Sequence, residues 1–397
     1  MTIRKALVLP SFRLASLSPL RARVVLATSH ADAIGGNLAS IRDELARRSP
    51  PIRLVILAHR SSATPRGRIG ALWHAVQAGY HLATARLFVV DDYYFPMYVI
   101  PPRPGTTRVQ VWHASGAFKK FGYSVLDKSF GADEAMIRRV PIHANYDVCL
   151  VSSMSIAPHY AEAFRQPLDT FVSRLGIPRT DVFFDQPEIA RRSEAVRQRY
   201  GLPLGRRVIL YAPTFRGDRV TEARFADDLD LELLHTMLGD DHVVLLRLHP
   251  FVRERVTIPR HLAGFAIDVS GHADIHDLML VSDLLVTDYS SAIYEFALLA
   301  RPILFFAPDR AAYEGERGFY FDYEGGVPGP IVDTTRELGE YIRAGSFDPA
   351  RVAAFGRASF DVADGRASAR FVDEIVLPAL AGRRSLAPTP SDPPASG

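Results

Sequence analysis

Two histidines follow short apolar segments of the kind that form buried strands. His113 comes directly after residues 109–112, and His249 stands three positions after residues 243–246. Histidine has the side-chain pKa nearest neutrality, so His113 suits a general base that takes a proton from a hydroxyl nucleophile. Arg247 and His249 occupy alternate positions and point the same way, where they could neutralise a diphosphate and hydrogen-bond to a leaving phosphate. A structural histidine is the alternative at each position.

A third segment, Thr-Asp-Tyr-Ser-Ser at residues 287–291, follows an apolar run and precedes apolar residues at helical spacing. Aspartate and serine favour helix N-caps, and a helix N-terminus offers unpaired N–H groups and partial positive charge to a phosphate. The pattern predicts a phosphate site, with an ordinary capped helix as the alternative. Glu295, one turn further, could accept a hydrogen bond from a ribose hydroxyl. The candidate donor-binding and phosphate-binding residues are Thr214, Arg216, Arg247, Thr287, Asp288, Ser290, Ser291 and Glu295.

Small and basic residues follow His113. The residues at 114–117 are small and leave room for a ligand, while Lys119 and Lys120 could attract an anionic substrate. A solvated lysine pair is the alternative. Ser115, Lys119 and Lys120 are therefore the candidate acceptor-side residues.

The acidic residues do not predict a metal site. No Asp-x-Asp pair follows a predicted strand, and the pairs at 91–92 and 240–241 are adjacent residues, poorly spaced to hold one divalent ion. The sequence predicts no metal, no cofactor and little metal dependence.

The composition is that of a soluble globular protein. The chain has 397 residues, 48% of them hydrophobic and 23% charged, which predicts two domains of about 150–200 residues each. The net charge of +3 gives no reason to expect a nucleic-acid partner. The single cysteine, Cys149, excludes an intrachain disulfide and suits a reducing cytoplasm. No apolar run approaches the roughly 18 residues of a membrane-spanning helix.

The N-terminus is basic. Its first 31 residues contain five lysines and arginines but no aspartate or glutamate. Such a segment could lie on an anionic membrane surface, and a solvated, frayed terminus is the alternative.

Apolar runs alternate with amphipathic helical patterns in both halves of the chain, as in parallel strands buried on both faces. The predicted fold class is therefore α/β, with two doubly wound Rossmann-type domains facing a cleft. We expect an N-terminal domain at 1–185, a C-terminal domain at 186–382 and a disordered, Pro-rich tail at 383–397. The polar segment 186–206 is the expected crossing between domains, and helices at 335–344 and 368–381 are expected to close the second. The predicted strands are 23–27, 53–57, 87–90, 109–112, 148–151, 208–211, 243–246, 266–269, 284–286 and 303–306.

Several segments, in order along the chain, resemble one family, the bacterial CDP-glycerol glycerophosphotransferases of teichoic acid and capsule synthesis. The family commonly has His-Gly-Thr-Pro where this chain has His-Ala-Ser-Gly at 113–116. Ser115 keeps a hydroxyl, but the proline is lost, so the shape of the acceptor could differ. The matching segments are 112–116 with the lysines at 119–120, 176–181, 211–216, 247–250, 287–291, 317–322, 328–331 and 364–368.

The resemblance implies a GT-B-like fold and transfer of glycerol phosphate, or another polyol phosphate, from a CDP-activated donor such as CDP-glycerol or CDP-ribitol to an acceptor hydroxyl. It implies that the second domain holds CDP and that two histidines matter, matching His113 and His249. It also implies a lipid-linked or polymeric glycan acceptor and a peripheral location at the inner face of the plasma membrane. A homo-oligomer is compatible with the sequence.

The expected mechanism starts with His113, which removes the proton of the acceptor hydroxyl. The oxygen attacks the phosphorus that bears the polyol, and CMP leaves while Arg247, His249 and the two serines at 290–291 stabilise the diphosphate charge. Two alternatives stay open: a GT-B glycosyltransferase that uses a nucleotide sugar, and a non-catalytic nucleotide-binding protein.

Overall fold

The structure, a computed structural model, describes residues 2–60, 64–126, 140–217, 222–225, 228–252 and 256–383. The chain divides into two compact units. Unit 1 contains the described residues within 1–113, 134–181 and 362–397, and unit 2 contains those within 114–133 and 182–361.

Unit 1 is built on a six-stranded parallel sheet with strand order β2-β1-β3-β4-β5-β6. Each strand predicted in this half is present, because short apolar runs such as residues 87–90 are buried on both faces. The strands are β1 Arg21–Thr28, β2 Leu54–Ala58, β3 Ala85–Val90, β4 Thr107–Gln110, β5 Val148–Leu150 and β6 Phe171–Val172. The helices are α1 Thr2–Ala15, α2 Gly36–Arg47, α3 Pro65–Thr84, α4 Phe95–Tyr98 and α5 Ala157–Phe164.

The N-terminal segment folds as α1, so the alternative of a frayed terminus is wrong. Helix α1 packs against α3 and buries Val8, Phe12 and Ala15. The two helices approach closely at Gly79, where an added Cβ would lie 2.6 Å from the carbonyl oxygen of Val8. Among the described residues, no helix combines the length and the apolar character needed to cross a membrane.

Unit 2 has a second six-stranded parallel sheet, with strand order β12-β11-β10-β7-β8-β9. The strands predicted in this half are also present. They are β7 Arg207–Tyr211, β8 His242–Leu246, β9 Ala266–Asp268, β10 Leu284–Thr287, β11 Ile303–Phe306 and, unpredicted, β12 Ile331–Val332. The helices are α6 Gln186–Tyr200, α7 Leu231–Leu238, α8 Ile275–Val281, α9 Ala292–Phe296, α10 Arg310–Arg317, α11 Tyr323–Gly326, α12 Thr335–Ala344 and α13 Pro349–Ser359.

The observed units differ from the predicted domains in three places. The segment 186–206, expected as a crossing, begins with α6, which packs against α8 within unit 2. Helix α6 forms because the side chain of Asp185 caps its first turn and Gly201, at φ +60°, ends it. Residues 114–126, expected in the N-terminal domain, cluster with unit 2.

The third difference is the C-terminal helical segment, which belongs to unit 1 and does not close unit 2. It consists of α14 Ala367–Phe371, a π-helical turn Val372–Val376 and α15 Leu377–Leu380. Its buried side chains include Phe371, Val372 and Ile375, and it packs against α2, β1 and β3. Helix α12, the other predicted closing helix, lies in unit 2 against α7. The predicted disordered tail lies outside the described residues from 384 onward.

Candidate functional site

The sheet of unit 1 has a topological switch point between β1 and β3. Strand β2 lies on one side of β1, and the chain then continues through β3, β4, β5 and β6 on the other side. Ligands of doubly wound sheets usually bind at such a point, beyond the carboxyl ends of the strands. His30 follows β1 there, Asp91 and Asp92 follow β3, and His113 follows β4.

These four side chains form one imidazole–carboxylate cluster, defined as His30, Asp91, Asp92 and His113. The Nδ1 atom of His30 lies 3.3 Å from Asp92 Oδ2 and 3.8 Å from Asp91 Oδ1. The Nδ1 atom of His113 lies 3.7 Å from Asp92 Oδ1 and 3.3 Å from the carbonyl oxygen of Asp91. The cluster joins the predicted base His113 to three side chains that the sequence did not assign to the site.

The orientation of His113 suits a base. A carbonyl oxygen only accepts hydrogen bonds, so the contact with Asp91 requires a proton on Nδ1 and leaves Nε2 with a free lone pair. The side chain is 45% exposed. Its backbone is held by Asn37, which donates to the carbonyl oxygen of Trp112 at 2.9 Å, and by Arg179, which donates to that of His113 at 2.6 Å.

Asp91 is the buried member of the cluster, with its side chain 7% exposed. Burial raises the pKa of its carboxyl from 3.8 to about 6, although His30 and Thr28 act in the opposite direction. Its Oδ1 atom is buried without a hydrogen-bond partner. Both the protonated and the ionised forms of this carboxyl are therefore populated slightly below neutral pH.

The sequence predicted no role for His30, and it indicated the acidic pair only as poorly spaced metal ligands. The rule that selected His113, a polar residue just beyond a buried strand, also applies to His30 after β1. In the part of the chain that the structure describes, no three His, Cys, Asp or Glu side chains are grouped to hold a metal ion. Little metal dependence stays a prediction.

Unit 2 has its own switch point, between β7 and β10. Asp288, directly after β10, accepts hydrogen bonds from the backbone N–H of Thr214 at 2.8 Å and from its hydroxyl at 3.0 Å. The hydroxyl of Thr287 donates to the carbonyl oxygen of Ala212 at 2.7 Å. Thr214, Thr287 and Asp288 were all predicted to bind phosphate. Their hydrogen bonds instead connect the end of β7 to the end of β10.

Arg216 is also held by protein partners. Its Nε and Nη2 atoms donate to the carboxylate of Asp309 at 2.6 and 3.0 Å, and its Nη1 atom lies 2.9 Å from Asp288 Oδ2. The guanidinium lies 5.2 Å from the ring centre of Tyr289 and 4.9 Å from that of Tyr313. Arg216 therefore neutralises two carboxylates, one of which, Asp288, is only 2% exposed.

Glu295 lies in a buried polar network. It accepts a hydrogen bond from the hydroxyl of Ser115 at 2.9 Å, and its other carboxylate oxygen lies 3.6 Å from His276 Nε2. The structure thus places Ser115 in unit 2, together with the two lysines. Lys119 pairs with Phe319 in an antiparallel β-bridge, and the backbone N–H of Lys120 donates to Gly318.

The predicted helix after the two serines is present, but it has only five residues. The hydroxyl of Ser290 accepts the backbone N–H of Ala292 at 3.2 Å, whereas the side chain of Ser291 makes no capping hydrogen bond. Arg247 is 8% exposed and donates to the carbonyl oxygen of Ser270. Burial lowers the pKa of Arg247.

His249 has the opposite tautomer to His113. Its Nδ1 atom accepts the backbone N–H of Phe251 at 3.2 Å, so a neutral ring carries its proton on Nε2. The ring centres of Phe215 and Phe251 lie 4.8 and 4.7 Å from that of the imidazole. His249 is therefore oriented as a hydrogen-bond donor at Nε2.

Residues 11–377 match the family of CDP-glycerol:poly(glycerophosphate) glycerophosphotransferases. The chain belongs to this family. The predicted recognition and the predicted transferase class are confirmed, and the family favours phosphotransfer over the two alternatives left open by the sequence.

Two curated relatives and one solved structure show how far the similarity extends. The chain is 39% identical over 355 residues to a teichoic acid ribitol-phosphate primase of Bacillus spizizenii, covering 89% of this chain and 90% of the relative. It is 35% identical over 364 residues to the teichoic acid poly(ribitol-phosphate) polymerase of that organism, covering 91% of this chain but 57% of the relative. The wall teichoic acid polymerase TagF superposes with a TM-score of 0.76 at 22% identity, over 94% and 93% of the two chains. The predicted GT-B-like α/β fold class is confirmed.

Proposed function

We propose that this chain transfers ribitol phosphate from CDP-ribitol to a hydroxyl of a teichoic acid acceptor and releases CMP. The family is described for glycerol phosphate, but both relatives above are named for ribitol phosphate and align with about nine-tenths of this chain. The acceptor is a lipid-linked or polymeric teichoic acid precursor.

The observation that carries the chemical step is the hydrogen bond from His113 Nδ1 to the carbonyl oxygen of Asp91. It leaves Nε2 as an acceptor on an exposed ring, which is the arrangement that a general base needs. In the proposed reaction, Nε2 takes the proton of the acceptor hydroxyl as its oxygen forms the new bond to phosphorus. The bond from that phosphorus to the bridging oxygen of the diphosphate breaks, and CMP departs.

Unit 2 stabilises the departing charge in this proposal. His249 donates from Nε2 to the phosphate, since its Nδ1 is occupied by the backbone of Phe251. Arg247 contributes positive charge, and the half-buried hydroxyls of Ser290 and Ser291 contribute donors. The other donor-side residues that the sequence predicts stabilise the site through hydrogen bonds and ion pairs with protein partners. They are Thr214, Arg216, Thr287, Asp288 and Glu295.

The two lysines predicted to lie on the acceptor side belong to unit 2, and we propose that they help to bind the acceptor. The ammonium group of Lys119 donates to the hydroxyl of Tyr313 at 3.3 Å, and Lys120 is half-buried beside Gly318. Both cations can attract an acceptor that carries phosphate groups. The hydroxyl of Ser115 orients Glu295.

We also infer that the protein works at the cytoplasmic face of an anionic membrane. Large apolar side chains are exposed on or next to α1 and α3, including Leu14 at 73%, Leu17 at 84% and Trp73 at 63%. The exposed cations Lys5 and Arg13 lie on the same N-terminal helix. Apolar side chains combined with cations favour peripheral binding to anionic lipid. We expect the protein to co-sediment with phosphatidylglycerol vesicles but not with phosphatidylcholine vesicles. Equal binding to both kinds of vesicle, or binding to neither, would contradict this inference.

The function is tested by supplying CDP-ribitol, CDP-glycerol and a UDP-sugar separately to the purified protein. Lipid-linked disaccharide acceptors with none, one or two glycerol phosphate units are added, and the masses of the products are measured by mass spectrometry. CDP-ribitol should release CMP and add ribitol phosphate to an acceptor. Faster turnover of CDP-glycerol would overturn the choice of polyol, and release of UDP would overturn the reaction class.

A further inference from the structure

We propose that Asp92 is the carboxylate that stabilises His113 when it becomes charged, and that His30 is the positioning residue that holds Asp92 in place. The inference rests on the proposed function, in which His113 is the base. It assigns roles to two side chains of the imidazole–carboxylate cluster that lie on different strand ends.

Asp92 lies between two imidazole rings. One carboxylate oxygen, Oδ2, lies 3.3 Å from His30 Nδ1, and the other, Oδ1, lies 3.7 Å from His113 Nδ1. A base that takes up a proton becomes an imidazolium ion, and a carboxylate on the far side of the ring stabilises that charge. The contact with His113 is longer than a hydrogen bond, and such catalytic contacts commonly shorten when substrate binds.

The backbone around Asp92 is fixed by hydrogen bonds. Its Oδ1 atom accepts the backbone N–H of Tyr93 at 2.7 Å, and its carbonyl oxygen accepts the amide of Gln110 at 3.1 Å. The side chain is 21% exposed and so keeps contact with solvent. Asp92 therefore presents its carboxylate to His113 from a fixed position.

His30 lies close to both carboxylates of the cluster. Two adjacent carboxylates, Asp91 and Asp92, would repel each other, and His30 Nδ1 lies within 3.8 Å of an oxygen of each. The Nδ1 atom also lies 2.9 Å from the hydroxyl of Thr28, which fixes the ring from the end of β1. Its ring centre is 6.4 Å from that of His113. His30 thus keeps one oxygen of Asp92 turned toward His113.

The proton balance is simple. The acceptor hydroxyl gives its proton to His113 Nε2, and Nδ1 keeps its own proton throughout. Asp92 and His30 exchange no proton in the step, and they change only the stability of the imidazolium. After CMP leaves, Nε2 releases its proton to solvent or to product.

The test compares Asp92→Asn and His30→Gln through the pH dependence of kcat/KM for CDP-ribitol. Its acidic limb reports the ionisation of the base in the free enzyme. Removing the negative charge of Asp92 should move that limb to lower pH, and removing His30, which holds that carboxylate toward His113, should move it in the same direction by a smaller amount. Each variant should lower kcat about 10-fold to 100-fold, with little change in KM.

Other titratable or charged groups also face His113. They are Asp91, the buried His143 and the guanidinium of Arg179, and all three are unchanged in these variants. His261→Gln is the matched control, because His261 forms an exposed imidazole–carboxylate pair with Glu232 at 2.6 Å in unit 2. That variant should leave both kcat and the pH limb as they are.

The outcomes separate this inference from the proposed function. If His113→Asn keeps wild-type turnover, the proposed base is wrong and the inference falls with it. If His113→Asn is inactive while Asp92→Asn and His30→Gln keep the wild-type pH limb, only the inference is overturned. Tryptophan fluorescence checks folding. If Asp92→Asn unfolds, Asp92→Ser replaces it, and if His30→Gln unfolds, His30→Asn replaces it. The same shift of the limb is expected in each replacement, and a wild-type limb in a folded replacement overturns the inference.

Discussion

The carboxylate of Asp181 caps the helix that begins near Ser368. Its two oxygens accept the backbone N–H groups of Ala367 and Ser368, each at 2.8 Å. Backbone N–H groups in the first turn of a helix have no partner within the helix. A residue far away in the sequence therefore completes α14 and fixes the C-terminal segment to unit 1.

Asp181→Ala should lower the free energy of unfolding of unit 1 by about 1–2 kcal/mol, the usual effect of losing a helix cap. The chain has two tryptophans, and both Trp73 and Trp112 lie in unit 1. Urea unfolding followed by tryptophan fluorescence therefore reports on this unit. Asp169→Ala, at an exposed position of the same unit, should change stability by less than about 0.5 kcal/mol, and an equal loss in both variants would contradict the capping role.

The same contact shows what the sequence could and could not predict. The segments 176–181 and 364–368 were selected because they resemble family motifs, and no local pattern indicates that Asp181 meets Ser368. Strands were predictable because runs such as residues 284–286 are continuously apolar. Helix α6 was not, because it buries only Val196 and has almost no apolar face. Side-chain partners such as Arg216 and Asp309 depend on tertiary structure and cannot be read from spacing.

Gly79→Ala should destabilise the packing of α1 on α3. An added Cβ would lie 2.6 Å from the carbonyl oxygen of Val8 and 3.1 Å from Ser11 Cβ. Because backbone atoms cannot move away easily, we expect a loss of about 1–3 kcal/mol in urea unfolding followed by tryptophan fluorescence.

Gly315→Ala is the control for that helix–helix contact. Gly315 also lies within a helix, α10, but nothing lies within 4 Å of an added Cβ. Alanine there should leave stability unchanged or raise it by up to about 1 kcal/mol, as expected from helix propensity. Urea unfolding of both variants is followed by circular dichroism at 222 nm. A similar change in the free energy of unfolding for Gly79→Ala and Gly315→Ala would show that the close approach of α1 has no energetic consequence.

Asp91 should make the stability of unit 1 fall as pH rises. Burial raises the pKa of Asp91 from 3.8 to about 6, so between these values the folded chain binds more protons than the unfolded chain. The stabilisation is complete below pH about 4 and is lost as pH rises through about 6. Asp91→Asn should remove this slope and raise stability near pH 7 by up to about 3 kcal/mol.

The measurement is urea unfolding at several pH values between 4 and 7, followed by tryptophan fluorescence. Three ionisable groups surround Asp91, namely His30, Asp92 and His113, and they are the same in wild type and variant. Asp169→Asn, at an exposed position, should keep the wild-type slope. A wild-type slope in Asp91→Asn would mean that another group causes it.

Arg216→Lys should destabilise unit 2 although the charge is kept. Lysine cannot reproduce the paired hydrogen bonds to Asp309 while also reaching Asp288. A buried carboxylate would lose its partner, which costs about 3 kcal/mol. Hydrogen–deuterium exchange of residues 207–217 should rise, while tryptophan fluorescence from unit 1 stays unchanged.

Arg310→Lys provides the matched control. Arg310 pairs with Glu324 at 3.1 Å, but these side chains are 31% and 68% exposed. Exposed ion pairs contribute little, so the expected change is within about 0.5 kcal/mol. Equal protection at residues 207–217 in Arg216→Lys and Arg310→Lys would show that the paired geometry of Arg216 is dispensable.

His249 should tolerate glutamine better than asparagine. The side-chain amide of glutamine can place an N–H donor near the position of Nε2, whereas that of asparagine is shorter and lies nearer to Nδ1. If Nε2 donates to the leaving phosphate, His249→Asn should lower kcat for CMP release by about 10²–10³-fold, the usual effect of losing one transition-state donor. His249→Gln should keep roughly ten times more activity than that. Equal losses in the two variants, with KM unchanged and circular dichroism like that of wild type, would mean that His249 does not act through an Nε2 donor and that Arg247 and the serines must hold the phosphate without it.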